Sequence, residues 1–250
     1  MDIAYSIVFF IFGIVFGSFY NVVGLRVPKK ESIISPPSHC TACQKRLQPI
    51  DLVPIFSYIF LGGKCRQCGA KISPIYMLTE VLTGVLFAFS YWKLGFTAEL
   101  VVALLFISLL IIINVSDIAY MLIPNKILLF FLPLVIVARV ISPLTPWWES
   151  LVGALVGFGI LYLIAVVSKG GMGGGDIKLF FLIGLVLGVV NTLLTLFLAS
   201  LIGLIAGIII LKVRGEGRKT PLPFGPSISI AAIIIYFYGE ALIDWYWNIL

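Results

Sequence analysis

Apolar runs, separated by charged or Pro/Gly-rich breaks, fall at 3–25, 75–92, 98–116, 127–143, 149–167, 177–190, 192–211 and 224–247. A spanning helix needs about 20 apolar residues, and helical periodicity cannot otherwise account for runs this apolar all round. The pattern predicts an all-α polytopic membrane protein with about eight transmembrane helices. The sixth run is short, so its ends lie differently or its helix does not cross fully. One long polar stretch, 26–74, interrupts the series. The chain therefore divides into a first transmembrane helix (1–25), a loop (26–74) and a seven-helix membrane core (75–250).

Composition agrees with this pattern. Of 250 residues 61% are hydrophobic and 11% charged, whereas soluble domains carry about 25% charged residues. A net charge of +6 would suggest nucleic acid in a soluble protein. In a membrane protein, Lys and Arg retained in cytosolic loops are the simpler cause, and no nucleic-acid partner is expected. Asp2 precedes the first run and Arg26, Lys29 and Lys30 follow it. A cleavable signal peptide has the opposite polarity, so the first helix is expected to stay, with its N-terminus outside. Eight crossings then place 26–74, 117–126, 168–178 and 212–223 in the cytosol and both termini outside. Fifteen of the 17 Lys and Arg fall on that side, leaving Lys93 and Arg139 outside. Trp147, Trp148, Trp245 and Trp247 sit where an outer interfacial belt would lie.

All four cysteines lie in the first loop, as Cys40-Thr-Ala-Cys43 and Cys65-Arg-Gln-Cys68, with 21 residues between the pairs. That spacing is close to a zinc ribbon's. Gly69 suits the tight turn that aims two sulfurs at one ion, and a cytosolic loop is too reducing for disulfides. Four thiolates close a tetrahedron and leave no open position, so a zinc ion here is expected to be structural.

Elimination narrows the chemistry. His39 is the single histidine, which excludes H-E-x-x-H sites and argues against a membrane-buried Ser-His pair. There is no P-loop and no βαβ pattern. Carboxylates remain, and most lie in loops or near helix ends. Three stand apart: Asp117 at the end of the third run, Asp176 after Gly170-Gly-Met-Gly-Gly-Gly175, and Glu80 inside the second run. Interfacial solvation, or helix capping by Asp176, is the plain alternative. Five Gly in the six residues before Asp176 shift the balance, because they let another backbone approach. Gly173, Gly174 and Gly175 are thus candidate substrate-loop residues. Asp117 and Asp176 converging on one water would make an acid–base pair, one ionised and one neutral.

These residues resemble the type IV prepilin peptidases, membrane aspartic proteases of the GxGD kind. The resemblance is carried by five ordered motifs: Gly17-Ser-Phe-Tyr-Asn21 through Arg26-Val-Pro28; the two C-x-x-C pairs; Asp117 with Pro124; Gly171-Met-Gly-Gly-Gly-Asp176-x-Lys178; and Pro223-Phe-Gly-Pro226. The chain departs from the family's usual pattern at Ile75-Tyr76-Met77-Leu78, where a Pro ordinarily precedes the Leu. It departs again at Gly62-Gly63-Lys64, ordinarily Arg-Gly-Arg. The resemblance implies cleavage of a short basic leader from type IV prepilins or pseudopilins, of the pilus and type II secretion kind, after a Gly at the cytosolic membrane face. It further implies methylation of the new N-terminus with S-adenosylmethionine. Catalytic roles are expected for Asp117 and Asp176, zinc ligation for Cys40, Cys43, Cys65 and Cys68, and possible site roles for Asn21, Arg26, Glu80 and Lys178. The glycines of the first motif, with Ser18 and Asn21, also read as a small-residue packing face, and Glu80 as the partner of a Lys or Arg. Two alternatives share the same features: a transporter or channel using buried carboxylates, and another intramembrane GxGD protease, which would not need the tetracysteine loop.

Overall fold

A computed structural model of the chain describes residues 2–169, 171–214 and 223–249. Gly170 of the glycine run, and Glu216, Arg218 and Lys219 of the loop before the last helix, lie outside the described residues. Each of the eight apolar runs is helical, and the described residues include no named strand. Among the described residues, six helices are by length and composition suited to crossing a membrane. Packing divides the chain into two compact units, Met1–Val115 and Ser116–Leu250.

The first unit contains α1 (Asp2–Arg26), a short α2 (Phe56–Phe60), α3 (Ile75–Leu94) and most of α4 (Ala98–Tyr120). Lipid gives apolar helices no hydrophobic reason to pair, so close backbone packing must supply the attraction. Glycines provide it between α1 and α3. A Cβ on Gly13 would lie 2.6 Å from the Gly84 Cα, and one on Gly17 2.8 Å from the Glu80 Cα. The small-residue face expected around Gly17 is therefore real. The Tyr20 and Ser108 hydroxyls, 2.5 Å apart, tie α1 to α4.

Between α1 and α3 the polar loop folds as two similar knuckles. In one, the Cys40 N–H donates to the Lys45 carbonyl and the Gln44 N–H to that of Cys40; in the other, Cys65 pairs with Ala70 and Gly69 with Cys65. The residue after each C-x-x-C takes a left-handed conformation, Gly69 at φ 70° and Gln44 at φ 58°. Gly69 meets that demand without strain, as its place in the sequence predicts.

The second unit holds α5 (Asn125–Ile141), α6 (Glu149–Val167), α7 (Gly174–Arg214) and α8 (Gly225–Ile249). Here the structure corrects the sixth and seventh runs. They form one 41-residue element, broken at Gly188 (φ 76°, ψ −175°), not at the polar Asn191-Thr192. The first arm, 174–187, is about 20 Å long at 1.5 Å per residue, short of the roughly 30 Å hydrocarbon core. A break strands backbone groups on both sides, and two charged residues answer it. The Arg139 guanidinium donates to the Val186 carbonyl, and the Glu149 carboxylate accepts the Val189 N–H at 2.9 Å. Expected as an outer-side charge and a plain helix-end carboxylate, these two instead cap the joint, and Arg139 is buried.

Candidate active site

Asp117 does not end its helix as the apolar run suggests. Helix α4 continues to Tyr120, and the Met121 N–H closes the last turn on the Asp117 carbonyl at 2.8 Å. Met121 then leaves in the left-handed region, φ 51°, a common way to end a helix. The buried Asp117 side chain meets the start of α8. Its Oδ2 accepts the Gly225 N–H at 2.7 Å, the kind of unpaired amide that opens any helix. A Cβ on Gly225 would stand 2.7 Å from that same oxygen. Pro226, which has no N–H to present, follows inside the first turn of α8.

Asp176 occupies the equivalent place on α7. It is the third residue of that helix, and its carboxylate takes a hydrogen bond from the Gly173 backbone, the reach-back half of a capping box. Both carboxylates thus sit at helix N-termini, where the peptide dipoles favour negative charge. They are near enough that the charge of Asp117 acts directly on Asp176. Two carboxylates under these conditions can hold a water between an ionised and a neutral partner.

The glycine run needs one correction. Gly173 precedes α7, but Gly174 and Gly175 belong to its first turn and are not loop. A Cβ on Gly175 would lie 2.6 Å from the Ile123 Cβ, so this glycine lets the helix start pack against the segment after α4. A Cβ on Gly173 would lie 2.7 Å from Asp176 Oδ2, which leaves Gly173 as the position bordering the carboxylate. Lys178 donates to Asn125 Oδ1 at 3.0 Å on an exposed face, linking the starts of α5 and α7. Gly225 is the site residue that sequence reasoning passed over. The Pro223-Phe-Gly-Pro226 motif marked its position, but nothing in it pointed to a residue 108 positions away.

The other expected residues lie in the first unit, each engaged there. Asn21 donates to the Tyr76 carbonyl at 3.1 Å, while its Oδ1 is buried without a partner. Arg26 donates to the Ser32 and Pro36 carbonyls beyond the end of α1. Among the described residues Glu80 pairs with no Lys or Arg. Its carboxylate accepts the Ser18 hydroxyl and, at 2.8 Å, the Ile55 N–H. Ile55 itself is strained, with φ 63° and ψ −56°, a conformation that a β-branched residue holds only when its surroundings fix it.

The four cysteine sulfurs lie within 4.8 Å of one another, and those of Cys40 and Cys68 are 3.8 Å apart. Tetrahedral Zn–S bonds of about 2.3 Å put sulfurs roughly 3.8 Å apart, so the set fits zinc. Hydrogen bonds from the Cys43 and Ala42 backbone pull the Cys40 thiol down to about 6. The Ala70 backbone favours a Cys68 thiolate, but desolvation and the neighbouring thiols outweigh it and hold that thiol up at about 11. A divalent cation relieves that conflict by placing a positive charge among the thiolates, which offsets two of their four negative charges. His39 stays outside the set, its Nδ1 3.1 Å from the Pro37 carbonyl.

A helical membrane protein with two carboxylates held on helix N-termini and a tetracysteine loop has the makings of a membrane aspartic protease. Residues 11–94 match the Bacterial Peptidase A24 N-terminal domain, and residues 104–208, which include both aspartates, match the Type IV leader peptidase family. The chain belongs to that family. It is 46% identical over 239 residues to the prepilin leader peptidase/N-methyltransferase of Bacillus subtilis, covering 96% of each chain. Proteins of the same name from Xanthomonas campestris (32% identical, 94% of this chain and 91% of the relative) and Pseudomonas aeruginosa (31%, 96% and 92%) are also similar. Among solved structures, none matches. Family membership sets aside the transporter reading.

Proposed function

We propose that this protein is a prepilin peptidase in which Asp117 and Asp176 activate the water that cleaves the leader. The observation that carries the reading is the pairing of two carboxylates, each seated on a helix N-terminus, within the region matching the leader peptidase family. The ionised partner takes a proton from water as it attacks the scissile carbonyl. The neutral partner donates a hydrogen bond to the carbonyl oxygen and stabilises the charge that develops there. Collapse of the tetrahedral intermediate returns a proton to the leaving amine. The Gly225 N–H orients Asp117, the Gly173 backbone orients Asp176, and the absence of a side chain at Gly173 leaves the approach to Asp176 open. The substrates are type IV prepilins or pseudopilins, cut after a Gly at the cytosolic face.

The zinc loop 26–74 is read as a structural attachment to the seven-helix core 75–250, with Cys40, Cys43, Cys65 and Cys68 as ligands. Methylation of the new N-terminus follows from the names of the relatives, with S-adenosylmethionine as donor. Among the described residues Glu80 is already committed to Ser18 and Ile55, and no residue set is assigned to that donor. Both termini are placed outside and the aspartates at the cytosolic border, on the distribution of Lys and Arg.

The test is cleavage of a prepilin substrate by Asp117→Asn and Asp176→Asn. Each substitution keeps shape and removes the proton-accepting carboxylate, so each should lose about three orders of magnitude in kcat, with the exposed Glu240→Gln as control. Near-normal cleavage by either well-inserted variant overturns the aspartic mechanism.

A further inference from the structure

The zinc loop carries an apolar face that the peptidase chemistry does not use. Phe56, Ile59 and Phe60 on α2 are 55%, 61% and 83% exposed. Their spacing, i, i+3 and i+4, puts them on one side of the helix. The opposite side is held: the Tyr58 hydroxyl reaches toward the Ile72 carbonyl and packs against Gly63. Ile50, Leu52 and Val53, in the turn leading into α2, are exposed as well. Six large apolar side chains in one short stretch of a polar loop are more than a water-facing surface ordinarily carries.

What covers this face is indicated by its depth and its surroundings. Helix α2 is not free to drift from the membrane, because the Glu80 carboxylate grips the Ile55 N–H at its start. Glu80 lies five residues inside α3, about 7.5 Å along the helix axis from Ile75. The apolar side of α2 therefore begins near the level where α3 enters the hydrocarbon. Around it the loop is basic. Lys45, Arg46, Lys64 and Lys71 are exposed, while Glu31 and Asp51 are the only acidic residues between 26 and 74. Asp51 is tied to Arg66 at 2.8 Å. Such a charge repels a basic leader and attracts anionic headgroups.

We infer that α2 is an interfacial anchor, its Phe56–Ile59–Phe60 face laid in an anionic lipid leaflet beside α1 and α3. Apolar area enters the acyl boundary while the flanking Lys and Arg meet lipid phosphates, as in amphipathic surface helices. The test uses the full chain in nanodiscs of phosphatidylcholine with or without phosphatidylglycerol, the latter carrying a photoactivatable group in its acyl chain. Crosslinks should map to 53–61 in addition to the spanning helices. Ile59→Ser with Phe60→Ser should reduce those crosslinks about tenfold or more, given the burial that each side chain loses, at unchanged zinc content. Lys64→Gln and Lys71→Gln should each weaken the preference for phosphatidylglycerol about fivefold. Crosslinks confined to the spanning helices of the zinc-loaded wild-type protein overturn the anchor, whatever the variants do. Loss of the 53–61 crosslinks on adding a prepilin assigns the face to that substrate and also overturns it. Neither result depends on whether Asp117 and Asp176 cleave the leader.

Discussion

At the scale of single residues, the site turns on a missing methyl group as much as on its carboxylates. A Cβ at position 225 would intrude on Asp117 Oδ2, 2.7 Å away, with the Asp117 Cβ close behind it at 3.0 Å. Gly225→Ala should therefore displace the carboxylate while leaving helix α8 and membrane insertion intact. A shift of about an ångström at a reacting group can cost roughly 100-fold, and a prepilin cleavage assay should show a kcat loss of that order. Gly159→Ala, with nothing within 4 Å of the added atom, serves as the comparison and should cleave normally. The two aspartates stood out as candidates in the sequence because charge is rare in apolar runs and the glycines beside Asp176 needed an explanation. Gly225 was not, because its role exists only once α8 brings an amide to a residue on α4.

At the scale of elements, composition located the helices well, but it could not show where α7 breaks. The polar pair Asn191-Thr192 looks like a boundary, yet Thr192 returns its hydroxyl to the Gly188 carbonyl and continues the second arm. The break falls at Gly188 because its φ is positive there and because Arg139 and Glu149 satisfy the backbone on either side. Hydropathy reads those two as outer charges; their partners are distant main-chain groups that no local pattern records. Removing a cap exposes the cost. Glu149→Ala leaves the Val189 N–H without its acceptor and should lower unfolding stability by about 1–3 kcal/mol, measured in lipid nanodiscs. Glu149→Gln retains a carbonyl oxygen for that N–H and should recover most of it. Cleavage per folded molecule should be unchanged in both.

At the scale of the whole molecule, two predictions concern metal and sidedness. The purified protein should contain about one zinc per chain, as a closed four-thiolate site requires. Cys65→Ser, at the buried member of the set, should release it and make 26–74 sensitive to added protease. A zinc-free protein with a protease-resistant loop would count against that role. For sidedness, the proposed topology puts all four cysteines in the cytosol, so intact cells expressing wild type should take up no impermeant thiol reagent. Phe96→Cys, at an exposed position between α3 and α4, should label from outside. The order in which the parts are synthesised has its own consequence. A ribosome that has reached residue 224 has made both carboxylates, yet not the amide that holds Asp117 in place. Until its last helix is made, the chain carries Asp117 without the Gly225 amide that fixes its carboxylate.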